Sequence, residues 1–291
     1  MLNQANGSFF VDLDEDGHEV MVLRESWNSG HAEAMARLNI KGLRLSESAG
    51  WKDTSLGFVN RLTGLTRLEI YSYGITDLAP IASLSGLEKI GLNCRYKKDI
   101  DFSIFPKLKT LFLNWRSGAE SLGRSTGLRA LNIMNYPFET VDSLSRLSLL
   151  ETLKITSSKL TTLEGAGQLP HLLNLDLFRC TRLEALTGIE SSSTLVNLSI
   201  DCCRKFSDLQ PLQSLETLEE IGLNDCGTLN SLTPLKPLMS LRRLFFIGTT
   251  KIADGDLSVF EALPSLRSMA FRDRKNYTHS NDQISSFLAT R

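Results

Sequence analysis

Apolar residues recur along most of the chain in one frame, L-x-x-L-x-L, in which Ile, Met or Phe sometimes replaces Leu. The frame stands at Ile40-Leu43-Leu45, Leu65-Leu68-Ile70, Leu87-Ile90-Leu92, Leu108-Leu111-Leu113, Leu128-Leu131-Ile133 and Leu150-Leu153-Ile155. It continues at Leu172-Leu175-Leu177, Leu195-Leu198-Ile200, Leu218-Ile221-Leu223, Leu241-Leu244-Phe246 and Leu266-Met269-Phe271. That is eleven copies, with first positions 20 to 25 residues apart. The last two apolar positions of each frame are two residues apart. In an extended segment they point to the same side, and the residues between them point to the other. One such strand cannot bury its apolar edge alone, so the pattern predicts eleven strands stacked copy on copy around a continuous core.

After each strand the apolar spacing changes to three, as in Leu160, Leu163, Ala166, Leu169 and Leu172, or Phe206, Leu209, Leu212, Leu215 and Leu218. A spacing of three predicts tight turns or short 3₁₀ segments on the return path rather than full α-helices. Pro80, Pro211 and Pro234 fall on that path, where a missing N–H is tolerated.

The frame resembles the leucine-rich repeat family over about Ile40 to Phe271. Its short copies, with phrases such as ITDLAPIASLSGL and LTPLKPLMSL, resemble the internalin-like, short-repeat class. The resemblance implies an α/β solenoid, a curved horseshoe with a parallel concave β-sheet and short 3₁₀ or turn segments on the convex side. It also implies an Asn or Cys at the ninth position of the frame, buried against the backbone of the turn. Cys180, Cys203 and Cys226 match. Tyr73, Arg95, Arg116, Tyr136, Ser158, Thr249 and Arg274 depart from it.

The ends read differently. FFVDLDEDGHEVMVLRE alternates around a D-G turn and predicts a hairpin. SGHAEAMARLN predicts a short helix with Ala34, Met35 and Leu38 on one side. Near the other end, Ser280 and Asn281 precede a short helix with Ile284, Phe287 and Leu288 turned to the last repeat. The organisation expected is a single domain: a cap over 1–39, eleven repeats over 40–271 and a cap over 272–291.

Composition narrows the function. Leu accounts for 51 of 291 residues, yet no run approaches the roughly 18 apolar residues of a membrane span. A net charge of -1 argues against nucleic-acid binding through a general basic field. Five cysteines do not make a disulfide framework, and the N-terminal residues lack the pattern of a secretory signal, so a reducing cytoplasm is the expected setting. Asp12, Asp14, Asp16 and Gly17 imitate the start of a calcium loop. The twelfth position, where a bidentate Glu belongs, holds Leu23, so a solvated turn is expected. The cysteines one repeat apart read as a buried ladder rather than a metal site, since no fourth ligand is evident. Cys94 and Cys202, one position earlier in their copies, need not be buried. RYKK at 95–98 reads as a solvated loop. No catalytic motif is present among the four His or elsewhere, and no cofactor is expected.

What remains is the open face of the strands, given by the third, fifth, seventh and eighth positions of the frame. Large side chains there have no reason in the core. Tyr71, Phe112, Trp115, Met134 and Phe178 are candidate anchors, with Asn114, Lys154, Asp176, Arg179 and Asp201 among the polar residues around them. Aromatic residues, Met and Arg are what interface cores enrich. The expected function is therefore non-enzymatic protein binding on the concave face by a chain that is a monomer when unbound. An intracellular inhibitor or immunity-type protein is the first form of this reading. A secreted effector acting on a target-cell protein is the alternative.

Overall fold

A computed structural model describes residues 7–98, 100–117 and 119–290. The chain falls into two compact units, Met1–Asn132 and Ile133–Arg291.

In the first unit an antiparallel hairpin of β1 (Phe9–Leu13) and β2 (Glu19–Leu23) is followed by helix α1 (Ser29–Leu38). Asn28 starts α1. Its side chain accepts the Gly30 N–H, and its own N–H donates to Nδ1 of His31, so a ring nitrogen closes the reciprocal cap that Glu or Gln usually makes. Ala34 and Met35 are buried, Leu38 half-buried. Then come β3 (Gly42–Ser46), β4 (Arg67–Tyr71), β5 (Lys89–Leu92) and β6 (Thr110–Asn114). β2 pairs with β3 in parallel, and the repeat strands continue in parallel, each next to its successor. β7 (Ala130–Met134) lies where the two units divide.

The second unit continues with β8 (Thr152–Thr156), β9 (Asn174–Phe178), β10 (Asn197–Asp201) and β11 (Glu220–Asn224). β12 (Thr228–Leu229), β13 (Arg243–Phe246), β14 (Lys251–Ile252), a single helical turn α2 (Val259–Ala262) and β15 (Ser268–Phe271) follow. β8, β9, β10, β11, β13 and β15 pair in parallel, neighbour to neighbour. The closing helix α3 (Asn281–Ala289) is capped by Ser280, whose hydroxyl accepts the Gln283 N–H. Ile284 and Leu288 are buried, while Phe287 sits edge-on to Phe260 at 5.0 Å.

Each of the eleven frames thus forms a strand, and from β3 to β6 and again from β8 to β15 the apolar positions lie in register with those of the next copy. Leu175, Leu198, Ile221 and Leu244 succeed one another in this way. All four are at most 1% exposed. The return paths hold 3₁₀ segments such as Ala79–Ser83, Gln210–Leu212 and Thr233–Leu235, and Pro80, Pro211 and Pro234 are the second residue of each. One feature departs from the expected turns. β12 and β14 form a separate parallel pair on the return side. Gly227, at a φ of 81°, and the buried Thr250 bring two successive return paths level, and the Lys251 N–H donates to the Gly227 carbonyl.

Candidate functional site

On the strand face of the first unit the chain has already filled much of the surface. Fifth-position Arg44 and Glu69 are register partners and are ion-paired. Third-position Arg67 and Lys89 are also register partners. The tip of the β1–β2 hairpin folds onto these four. Asp12 lies 2.7 Å from Arg44, and Asp14 lies 3.5 Å from Arg67 and 3.3 Å from Lys89. Asp16 is 3.6 Å from Arg67, and Lys89 is 3.7 Å from Glu69. The side chains of Asp14, Glu69 and Lys89 are at most 5% exposed.

The expected solvated turn is thus a partly buried charge network. Burial alone would raise the Asp14 carboxyl. The His18 backbone N–H and the charges of Lys89 and Arg67 outweigh it and hold the group below its ordinary range. Ligand atoms of Asp14, Asp16 and His18 lie within 4.8 Å of one another. The cations facing those carboxylates are this chain's own Lys89 and Arg67.

Beyond the network, Tyr71 and Phe112 meet edge to face at 6.0 Å. Gly91 lies between their strands, and a Cβ there would come within 3.0 Å of the Tyr71 hydroxyl, so the glycine makes room for the ring. Burial, then the Glu69 charge, push the Tyr71 phenol up. Two expected face residues are not free-standing anchors. Asn114 is buried and donates to Asn93 at 2.9 Å. Trp115 is 9% exposed, turned inward instead of out. In the basic run 95–98, Tyr96 is buried and Arg95 lies over the Tyr73 ring at 5.2 Å.

The burial of Trp115 belongs to a rule the frame does not state. In four inner copies the eighth residue keeps ordinary backbone angles and turns inward: Ser72, Cys94, Trp115 and Ser157 are all buried, whereas Glu47 and Asp273, the eighth residues of the first and last copies, are exposed. In other copies the eighth residue adopts positive φ, as do Asn135 (56°), Arg179 (52°), Cys202 (58°) and Asp225 (53°). There the ninth residue turns inward: Tyr136, Cys180, Cys203 and Cys226. Gly248, also at positive φ, shifts the role further, to Thr250 rather than Thr249.

These inward side chains satisfy backbone groups of the turn. The Cys180 N–H donates to Sγ of Cys203, the Cys226 thiol donates to the Ile200 carbonyl at 3.0 Å, and the Cys226 N–H donates to Thr250 Oγ1 at 2.9 Å. Burial pushes the Cys226 thiol up to about 12 and the Cys94 thiol to about 11. Its bond with Cys180, then burial, push the Cys203 thiol up as well.

The strand face of the second unit is open. Its fifth positions run in register as Lys154, Asp176, Ser199, Gly222 and Phe245. Its seventh positions run as Thr156, Phe178, Asp201 and Asn224, and Ile247 follows, donating its N–H to Asn224. Phe178 is 40% and Ile247 49% exposed. Arg179 lies over the Phe178 ring at 5.0 Å, and Lys154 is 3.8 Å from Asp176. Five expected site residues, Lys154, Asp176, Phe178, Arg179 and Asp201, therefore gather on neighbouring strands here. Met134 is half-buried at the end of β7. Phe245 and Ile247, at the fifth and seventh positions of their copy, complete the face.

No family model and no curated protein matches this chain. Solved structures do. An internalin (inlF) of Listeria monocytogenes superposes with a TM-score of 0.53 at 19% identity, covering 82% of this chain and 77% of that one. Internalin C2 of the same species gives 0.50 at 20% identity, covering 73% and 84%. A leucine-rich repeat protein of Leptospira interrogans gives 0.61 at 15% identity, covering 86% and 72%. The fold is that of a short-repeat leucine-rich repeat solenoid. Among the described residues no helix is long and apolar enough to cross a membrane.

Proposed function

We propose, taking the leucine-rich repeat fold as premise, that this protein is a non-enzymatic binding module. Its partner is another protein, held on the open face of the strands, the face the resemblance makes concave. The observation that carries the reading is Phe178: an aromatic side chain 40% exposed on a strand face, with a cation stacked on it and charged residues around it. Exposed apolar groups ringed by polar ones are the usual anchors of protein contacts. The form we favour is an intracellular inhibitor or immunity-type protein. Five free cysteines, four of them buried, suit a reducing cytoplasm better than the oxidising medium a secreted effector would meet.

The test is capture of the partner from lysate of the source cell, its identification by mass spectrometry, and titration with variants. Phe178→Ala should remove about 2 kcal/mol or more of binding and leave thermal stability nearly unchanged. Gln213→Ala, on the exposed return path, should change neither. A toxin or enzyme of the same cell as partner supports the inhibitor form, and a target-cell protein supports the effector. A partner that ignores Phe178 but is lost with return-path substitutions overturns the strand-face reading.

A further inference from the structure

The open face of the second unit carries more than an exposed ring. Between β9 and β13 lie two strands whose outward residues are small or polar: Ser199 and Asp201 on β10, Gly222 and Asn224 on β11. A Cβ added to Gly222 would sit in ordinary contact, 3.7 Å from the Ser199 hydroxyl and the Asn224 side-chain nitrogen, so nothing taller than these short side chains rises over the glycine. The taller side chains stand on either side, Phe178 on β9 and Phe245 with Ile247 on and after β13. β9 to β13 is three strand steps, about 14 Å between backbones at about 4.8 Å each. With ring and aliphatic side chains projecting from both borders, the floor is narrower than the roughly 10–12 Å diameter of a helix. It suits an extended segment.

The charges on this floor do not balance locally. Asp201 receives the Ser199 hydroxyl at 3.1 Å and makes no ion pair among the described residues. Asp176 faces Lys154 at 3.8 Å. Of the other charged groups on these strands, Glu220 is bound to Arg243, Asp225 accepts the Thr249 N–H, and Arg179 lies on the Phe178 ring. Burial and the nearby Asp201 charge raise the Asp176 carboxyl against the opposing pull of Lys154. A partner that covered this floor with apolar or acidic groups would strip water from Asp201 and leave its charge unpaired, which is strongly unfavourable.

We infer that the trough between Phe178 and Phe245 receives an extended segment of the partner protein bearing a Lys or Arg, whose charge is met by Asp201 and Asp176 and whose aliphatic stem lies against the flanking apolar side chains. The inference rests on the strand-face reading above and adds the chemistry of the occupant. Charge complementarity of this kind fixes register and rejects wrong partners. The long stem of a basic side chain also matches a border that is apolar above a charged floor.

The probe is a displayed library of random 16-residue peptides, selected on the immobilised full chain. Enriched peptides are re-assayed on Asp176→Asn/Asp201→Asn, on Phe178→Ala and on Gln213→Ala. The expected result is enrichment of Lys or Arg beside apolar residues. Affinity should fall at least about 30-fold on the double Asn variant, the size of loss that follows removal of one partner from a desolvated charge pair. Binding should also weaken steeply with added salt and be unchanged on Gln213→Ala. Both Asn substitutions are near-isosteric, and circular dichroism with a thermal melt checks that the variant is folded. Should folding suffer, Asp201→Asn alone replaces it.

Peptides that need Phe178 yet are neutral or acidic, or that bind the double Asn variant equally well, overturn the basic occupant and leave the strand-face reading intact. Peptides indifferent to both Phe178 and the two Asp residues overturn both. A selection yielding no peptide that depends on Asp201 also counts against the inference.

Discussion

A residue in the left-handed region at the eighth position moves the inward-turning side chain one place along the chain, and this decides which side chains are chemically available. Four of the five thiols are buried by it or by the simpler turn: Cys94 at the eighth position, Cys180, Cys203 and Cys226 at the ninth. Cys202 is itself the left-handed residue of its copy and stays half-exposed. The expected outcome with a thiol reagent on the native protein is one fast equivalent, Cys202, and four that react only when the chain unfolds. Burial blocks the reagent. It also holds the Cys226 and Cys94 thiols at about 12 and about 11, so the reactive thiolate stays scarce at neutral pH. Two or more fast equivalents, or a fast reaction surviving Cys202→Ser, would contradict this placement. The cysteine column was legible because three copies of equal length carry the same residue at the same place. The burial of Trp115 and Cys94 was not, because nothing in the frame says which copies take a left-handed residue. Asn135 and Asp225 are types that tolerate it, but Arg179 and Cys202 are not obvious choices.

At the scale of elements, the N-terminal hairpin does two jobs. It extends the sheet beyond the first repeat, and its tip is tied over β3, β4 and β5 by ions of both signs. Lys89 is central, since both Asp14 and Glu69 lie within 3.7 Å of its ammonium while its side chain is 5% exposed. Lys89→Ala should cost about 3 kcal/mol in urea denaturation, because it leaves carboxylates buried without their cation. The figure sits at the low end because Arg67 still faces Asp14. Lys109→Ala is the control. Its pair with Glu88 is exposed on both sides, so its loss should stay under about 1 kcal/mol. A Lys89 effect no larger than the Lys109 effect would mean the hairpin tip does not rest on the strands. The hairpin itself could be read from alternation and the D-G turn. Its docking could not, since the pairs join residues 75 apart, Lys89 with Asp14. A hint was present in the opposite charges of Arg44 and Glu69, one copy apart in the same column. For the strand-face binding proposed above, the docked tip leaves only the face beyond Lys89 open in this unit.

At the scale of the whole chain, what the frame makes legible is the core, because each strand has the same side chains to bury and the same neighbours to bury them against. In a stacked repeat each copy contacts only the copies beside it, so stability is built from local interfaces that repeat. The outward columns carry no such constraint. Leu173 and Leu175 show the difference within one copy. Leu175 is 1% exposed and paired in register with Leu198, while Leu173, two residues earlier, is 39% exposed. Leu198 lies between Leu175 on one side and Ile221 on the other. Truncating it removes contacts to two copies at once and leaves a cavity that neither can fill without leaving its own register. Leu198→Ala is therefore expected to cost about 2–5 kcal/mol. Leu173→Ala, outside the core by the same frame, should stay within about 0.5 kcal/mol of the parent. Chemical denaturation of the two variants side by side measures both. A Leu198→Ala loss below about 1 kcal/mol, or a Leu173→Ala loss that equals it, would show that the apolar positions of the frame are not the ones the stack buries.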